Sequence, residues 1–131
     1  MHTLSVRTHS HSELIDLTSS LQALVGDSGV TDGICYVYVP HTTAAVTINE
    51  NADPAVARDF LDQLERMVPW RGPYGHSEGN AAAHVKAALL GSSATVLVSS
   101  GRLALGTWQA IYFAEFDGPR HREVFVQVTA S

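Results

Sequence analysis

Three of the chain's seven histidines lie in contexts that suit chemistry rather than solvation. His41 follows an apolar run, His76 lies in a loop rich in glycine, and His84 borders the apolar stripe of an alanine-rich run. Neutral imidazoles with a carboxylate from Glu50 or Glu78 form a good site for a divalent cation such as zinc or magnesium, because three such ligands leave a position open for water or substrate. The spacing matches no compact ligand motif, and satisfied structural histidines are commoner than ligands. The residues alone therefore leave a metal site, proton transfer and a structural role as alternatives.

A second candidate site is the stretch SSGRLALGTWQ, positions 99 to 109. Hydroxyls and backbone N–H groups for an anion are offered by Ser99, Ser100 and Gly101. Arg102 beside them adds a fork of donors that suits phosphate. Trp108 and Gln109 then begin a strand, where a Trp is usually part of the core and Gln109 indicates a pocket. The alternative is a β-hairpin turn with one solvated arginine.

Glu50 and Asn51, in the segment NENADP, have no local structural explanation and are further candidates for a binding or catalytic role. Asp53 in the same segment is explained as a helix N-cap, because Pro follows it at the first helical position. Cys35 lies within an apolar strand and is interpreted as a small buried hydrophobe rather than a nucleophile.

The elements that must position these residues follow from the apolar periodicity. Their predicted order is βαββααβββ, which is typical of an α+β domain with a mixed, mostly antiparallel sheet packed against helices. Ser10 and Glu13 have capping-box spacing, which predicts that the first helix begins there. The predicted strands cover residues 3–8, 32–40, 44–50, 94–100, 107–116 and 122–130, and the helices fall within 10–29, 51–70 and 80–90.

Composition limits the classes of function. The chain has 131 residues, the usual size of one domain, so residues 1–131 are predicted to form a single domain. The formal net charge is -5 and the eight Lys and Arg residues are scattered, which argues against nucleic acid or an anionic membrane as a partner. The single cysteine cannot form an internal disulfide, and neither a signal peptide nor an apolar run of transmembrane length is recognisable. We therefore expect a cytoplasmic protein.

The chain resembles the YjbQ family of secondary thiamine-phosphate synthases in three segments, which occur in the expected order and at the expected intervals. These segments are HTTAAVTINENADP, HSEGNAAAHVKAALLG and GRLALGTWQAIYFAEFDGPRHREVFVQV, from about His41 to Val128. The resemblance implies an α+β fold that assembles as a homotrimer, with a pocket near the subunit boundaries that gathers the characteristic histidines.

The resemblance also implies an activity, the joining of hydroxymethylpyrimidine diphosphate to thiazole phosphate with release of pyrophosphate. A phosphorylated small molecule is then the substrate, and Arg102, the nearby turn amides and a divalent cation would neutralise the leaving group. Members of the family often have Asp where this chain has Ala82, so the alternative is a non-catalytic trimeric module that binds a metal or a phosphorylated metabolite. The predicted site consists of catalytic His41, Glu50, Glu78, Arg102 and Gln109, substrate-binding Asn51, Ser100, Arg102 and Trp108, and metal-binding His41, His76 and His84.

Overall fold

The computed structural model describes residues 1–76 and 78–131, and in this part of the chain it contains three helices and eight strands. The helices are α1 (Thr18–Ser28), α2 (Pro54–Met67) and α3 (Ala81–Leu90). The strands are β1 (His2–Arg7), β2 (Glu13–Asp16), β3 (Gly33–Tyr38), β4 (Ala44–Glu50), β5 (Ser93–Ser99), β6 (Arg102–Leu103), β7 (Gln109–Glu115) and β8 (His121–Ala130). The α+β class predicted from the sequence is confirmed.

The strands form two sheets rather than the one that the sequence predicted. The larger sheet has the order β1-β8-β3-β5-β6, the smaller has the order β2-β7-β4, and all the pairings described for residues 1–76 and 78–131 are antiparallel. Alternate residues of β3 and β8 face inward, because successive side chains of a strand point to opposite faces. They meet the smaller sheet and α1 in one core, which includes Leu21, Val25, Cys35, Val37, Val46, Ile111, Phe113, Val124 and Val126.

The other face of the smaller sheet is covered by α3 and α2. A second apolar cluster joins the two helices to the sheet and consists of Ala45, Leu64, Ala83, Ala87, Ala114 and Phe116. Since both faces of β7 are covered, its residues are buried without the alternation of a half-exposed strand. No helix among residues 1–76 and 78–131 is long and apolar enough to cross a membrane.

The predicted helix over residues 10–29 is wrong in its first half. Residues 13–16 instead form β2 and pair with β7, so tertiary pairing overrides the helical spacing of the leucines. The Glu13 carboxylate accepts the backbone N–H groups of His9 and Ser10, at 2.6 and 2.7 Å, and holds the turn before the strand rather than a helix start. The prediction also missed the two-residue strand β6.

Two local predictions are confirmed. The Asp53 carboxylate accepts the Ala55 N–H at 2.9 Å, so Asp53 caps α2. Pro54 occupies the first turn, where proline's lack of an N–H costs nothing because an N–H there has no partner within the helix. Cys35 is fully buried in β3, and burial raises the pKa of its thiol, which makes it a core residue rather than a nucleophile.

Candidate functional site

One cavity brings together two of the predicted histidines. His41 follows the end of β3, and His84 lies on the second turn of α3, which packs across the start of β4. The cavity between them has a volume of about 350 Å³. Its wall is otherwise built from small residues, Thr42, Ala44, Ala87, Ala88, Gly91 and Ser92.

The third predicted histidine lies against the second. The rings of His76 and His84 meet edge to face, with centroids 5.2 Å apart and planes 75° apart. The Nε2 atom of His76 lies 3.8 Å from the Glu78 carboxylate. We call His41, His76, Glu78 and His84 the histidine end of the molecule. The structure therefore brings these four predicted residues to one region.

Beside His76, a further cavity of about 330 Å³ was not anticipated from the sequence. Trp70, Arg71 and Tyr74 contribute to its wall, together with His76 and the residues that begin α3. An arginine beside two aromatic rings suits a ring compound that carries an anionic group. In the sequence this segment is only a loop rich in Gly and Pro, and such a composition does not indicate a cavity.

A buried ion pair lies beneath the histidine end. Glu115 of β7 is fully buried and Arg122 of β8 is 4% exposed, so the pair joins the two sheets. The Glu115 carboxylate accepts five hydrogen bonds, two from the Arg122 guanidinium and one each from the Thr8 hydroxyl and the Phe116 and Asp117 N–H groups. Burial alone would raise the pKa of Glu115, but the bonds from Arg122 and the Asp117 N–H hold this pKa below its ordinary value. The carboxylate is therefore ionised and fully satisfied.

The ion pair also fixes the segment that carries His41. Arg122 donates to the Thr43 hydroxyl at 2.8 Å, two residues after His41. The residue next to Arg122, Glu123, donates its backbone N–H to Nε2 of His41 at 2.9 Å. Burial lowers the pKa of His41, and the positive charge of Arg122 lowers it further. His41 is therefore held to β8 on a rigid support.

Sequence reasoning missed Glu115 and Arg122, although a signal was present. Arg122 occupies the inward position in an alternation that continues with Val124 and Val126, and Glu115 interrupts an otherwise apolar run. Charged residues at such positions are almost never buried without a partner, so each predicts the other.

Asn80, at the start of α3, was also missed. It does not cap the helix through its side chain but donates to the Asp117 carboxylate at 2.9 Å. Its Oδ1 atom is buried without a hydrogen-bond partner among residues 1–76 and 78–131.

The other predicted residues lie at the opposite end of the sheets. Glu50 pairs with Gln109 in the ladder between β4 and β7, and the Asn51 N–H donates to the Trp108 carbonyl at 3.1 Å. The Gln109 side chain accepts the Gly106 N–H at 2.8 Å and closes a turn. Trp108 is 61% exposed, so it is not a core residue.

The serine-rich turn does not offer its amides to an anion as predicted. The N–H of Ser100 donates to the Asp32 carboxylate at 3.3 Å, and that of Gly101 donates to the Thr31 carbonyl at 2.8 Å. Both N–H groups are therefore bonded within the protein, and the prediction that they bind an anion is wrong. The Ser100 hydroxyl and the Arg102 guanidinium are among the predicted anion-binding groups that remain. The Arg102 side chain lines a groove of about 410 Å³ with the first turns of α1. We call Glu50, Asn51, Ser100, Arg102, Trp108 and Gln109 the arginine end.

The two ends are too far apart to meet around one small molecule in a single chain. β4 runs from the histidine end at Ala44 to the arginine end at Glu50, and β5 runs likewise from Ser93 to Ser99. Each has seven residues, and such a strand spans about 20 Å. Reacting atoms must approach to about 3 Å, so the two groups cannot serve one reaction centre of the same chain.

The predicted metal site does not form as a three-ligand group. Among residues 1–76 and 78–131, no three His, Cys, Asp or Glu side chains lie close enough together to hold a metal ion. His76 and His84 contact each other, but Nε2 of His41 already accepts a backbone N–H. The described residues of one chain therefore do not supply the three ligands that a resident metal needs. Metal binding by this protein is still only a prediction from the sequence.

These features define a small α+β domain with two antiparallel sheets and a cavity flanked by histidines. The chain belongs to the YjbQ family, since the family described as UPF0047 protein YjbQ-like matches residues 2–131. It is 46% identical over 129 residues to UPF0047 protein YugU of Bacillus subtilis, with 98% of both chains covered. It is 47% identical over 123 residues to a UPF0047 protein of Methanocaldococcus jannaschii, covering 94% of this chain and 89% of the relative.

Solved structures agree with this assignment. A conserved YjbQ/UPF0047 protein from Clostridium acetobutylicum is 50% identical and superposes with a TM-score of 0.97, covering 98% of this chain and all of the other (100%). A hypothetical protein from Thermus thermophilus is 40% identical with a TM-score of 0.92, covering 98% of this chain and 100% of the other. The resemblance to the YjbQ family is confirmed.

Proposed function

We propose that this chain is an enzyme that acts on phosphorylated heterocyclic small molecules and that His84 is its proton carrier. The observation that carries the proposal is the cavity shared by His41 and His84, with the ring of His76 against that of His84. Imidazoles titrate near neutral pH, so an imidazole on a cavity wall suits general acid–base catalysis.

The proposed reaction is the one that the sequence resemblance implies. The C–O bond between the hydroxymethylpyrimidine group and its diphosphate breaks, which releases pyrophosphate. The same carbon then forms a C–N bond with the ring nitrogen of thiazole phosphate. This chain's residues would bind the two phosphorylated partners, shield the cationic pyrimidine from water and supply protons to the leaving oxygens. The cavity wall with Trp70, Arg71 and Tyr74 supports the binding of a ring with an anionic group.

We further propose that the protein is a homotrimer in which the arginine end of one chain meets the histidine end of the next. The separation of about 20 Å along β4 supports this arrangement, because both groups can act together only if they come from two chains. Closed cyclic symmetry would then repeat the same site at each of the subunit boundaries. In this arrangement Arg102 supplies a bidentate contact to a phosphate at the neighbour's histidine end.

The experiment that tests the proposed enzyme is pyrophosphate release from hydroxymethylpyrimidine diphosphate with thiazole phosphate as acceptor. His84→Ala should reduce turnover by about a hundredfold or more, since a general acid or base contributes roughly 10²–10⁴-fold. His2→Ala is the matched control, because His2 is exposed in β1, and it should behave as the parent. Equal turnover in the parent and His84→Ala would refute the proposal.

A non-catalytic binding module is the second candidate, and Ala82 favours it. The resemblance implies an aspartate at this position in many family members, whereas Ala82 is fully buried and brings no carboxylate to α3. Such a module would bind thiazole phosphate, detected by calorimetry, yet release no pyrophosphate in the assay above. Turnover by the purified parent would exclude it.

A further inference from the structure

The orientation of the His41 ring is fixed by a backbone donor. β3 pairs with β8 only as far as Tyr38 and Phe125, so Glu123 lies beyond the end of that ladder. Nε2 of His41 takes the place of a strand carbonyl there and accepts the Glu123 N–H at 2.9 Å. A flipped ring would put a carbon against this N–H and lose the hydrogen bond, so the bond favours the observed orientation.

The same bond decides which nitrogen carries hydrogen. A nitrogen that accepts an N–H cannot itself hold a proton, so Nε2 presents its lone pair and Nδ1 carries the ring N–H. Among residues 1–76 and 78–131, Nδ1 of His41 makes no hydrogen bond to the protein, and His41 is one of the residues that line the cavity with His84. Nδ1–H is therefore a donor that the described protein leaves unused, on a residue of the cavity wall.

The support of this ring resists rearrangement. Arg122 precedes Glu123 in β8 and is bound to both Glu115 and Thr43, so the ion pair holds the two partners of the His41 contact in place. The backbone on both sides of the His41 contact is therefore anchored by a buried pair.

We propose that His41 is a fixed hydrogen-bond donor, through Nδ1–H, to an anionic oxygen of the bound ligand, and that it is neither a proton-accepting base nor a metal ligand at Nε2. A phosphate oxygen fits this role, since a charged acceptor forms the stronger bond with such a donor. The identity of the ligand rests on the function proposed above, whereas the tautomer does not. Proton transfer is then left to His84 and its neighbour His76.

The tautomer is tested by long-range ¹H–¹⁵N correlation spectra of protein labelled with ¹⁵N-histidine, in which His41→Gln identifies the His41 signals. The expected result is a protonated Nδ1 and an unprotonated Nε2, with both signals unchanged when zinc chloride is added. A protonated Nε2, a mixture of tautomers or a zinc-dependent shift of Nε2 would overturn the proposal. This spectrum needs no turnover, so failure of the proposed enzyme activity leaves its outcome readable.

The role as ligand donor is tested with inorganic phosphate. His41→Gln keeps an acceptor for the Glu123 N–H but has no donor in the place of Nδ1, whereas His41→Asn keeps a donor near Nδ1 and loses the acceptor. Calorimetry should show phosphate affinity reduced roughly tenfold in His41→Gln, with thermal stability retained. Parent-like phosphate affinity in His41→Gln would reduce His41 to a structural cap of β8 and overturn the donor role.

Discussion

Removal of Arg122 should destabilise the protein far more than a typical single substitution. Arg122→Met keeps most of the side-chain volume but deletes the donors to Glu115 and Thr43 and leaves the Glu115 carboxylate buried without its cation. Breaking a buried pair by removal of one partner costs about 3–5 kcal/mol. For a domain of this size the melting temperature should fall by roughly 10–20 °C. Urea unfolding, followed by tryptophan fluorescence, measures the free energy directly.

The double variant Glu115→Gln/Arg122→Met makes this test specific to the ion pair. Glutamine keeps an acceptor for the surrounding N–H groups without a buried charge, so the double variant should be more stable than Arg122→Met alone. Glu123→Gln is the matched control, because Glu123 is exposed, and it should change the unfolding free energy by less than about 0.5 kcal/mol. If the single costs of Glu115→Gln and Arg122→Met simply add in the double variant, the pair is not coupled and the reasoning is refuted.

Three further predictions concern stability. The pKa of Glu115 is lowered from its ordinary 4.5, so the stability that its ionised form contributes is fully present above that pH and is lost as the pH falls through the folded-state pKa. Glu115→Gln lacks this titrating group, so its free energy of unfolding, measured in urea at a series of acidic pH values, should fall less steeply with decreasing pH than that of the parent. A Cβ at Gly33 would overlap the Thr129 carbonyl, so Gly33→Ala should unfold at clearly lower urea than the parent. Lys86 is 3% exposed and bonds the partly exposed Glu65, so Lys86→Met should be at least as stable as the parent and Lys86→Ala less stable, and equal losses would contradict this.

Much of the fold was predictable because local signals and tertiary packing agree there. Asp53 and Pro54 begin α2 through local capping chemistry, and the β-branched run around Cys35 is a buried strand by composition. The segment 13–16 was not predictable in this way, since its leucine spacing suits a helix and only the pairing with β7 makes it a strand. The division into two sheets depends on contacts distant in sequence, which periodicity does not record.

The candidate site was predicted as a set of residues but not as an arrangement. The sequence singled out His41, His76 and His84, and the structure brings them to one end, yet nothing in their spacing shows that Nε2 of His41 is occupied by a strand N–H. Their separation from Arg102 by the length of a strand is likewise a property of the topology. The alternation of Arg122 with buried valines and the position of Glu115 in an apolar strand were unused signals.

The most direct test of the proposed site between chains is a mixture of two variants, His84→Ala and Arg102→Ala, each of which removes one end of the site and should lose most of the activity. The two chains are unfolded together and reassembled in equal amounts, and in the proposed homotrimer each site then draws its two ends from neighbouring chains. We predict that pyrophosphate release returns to roughly a quarter of the parent rate. At each site the histidine end is intact in about half of the cases and the neighbour's arginine end in about half, so both are intact in about a quarter. If Arg102→Ala alone keeps parent activity, or if the mixture stays as inactive as either variant, the site is not shared between subunits.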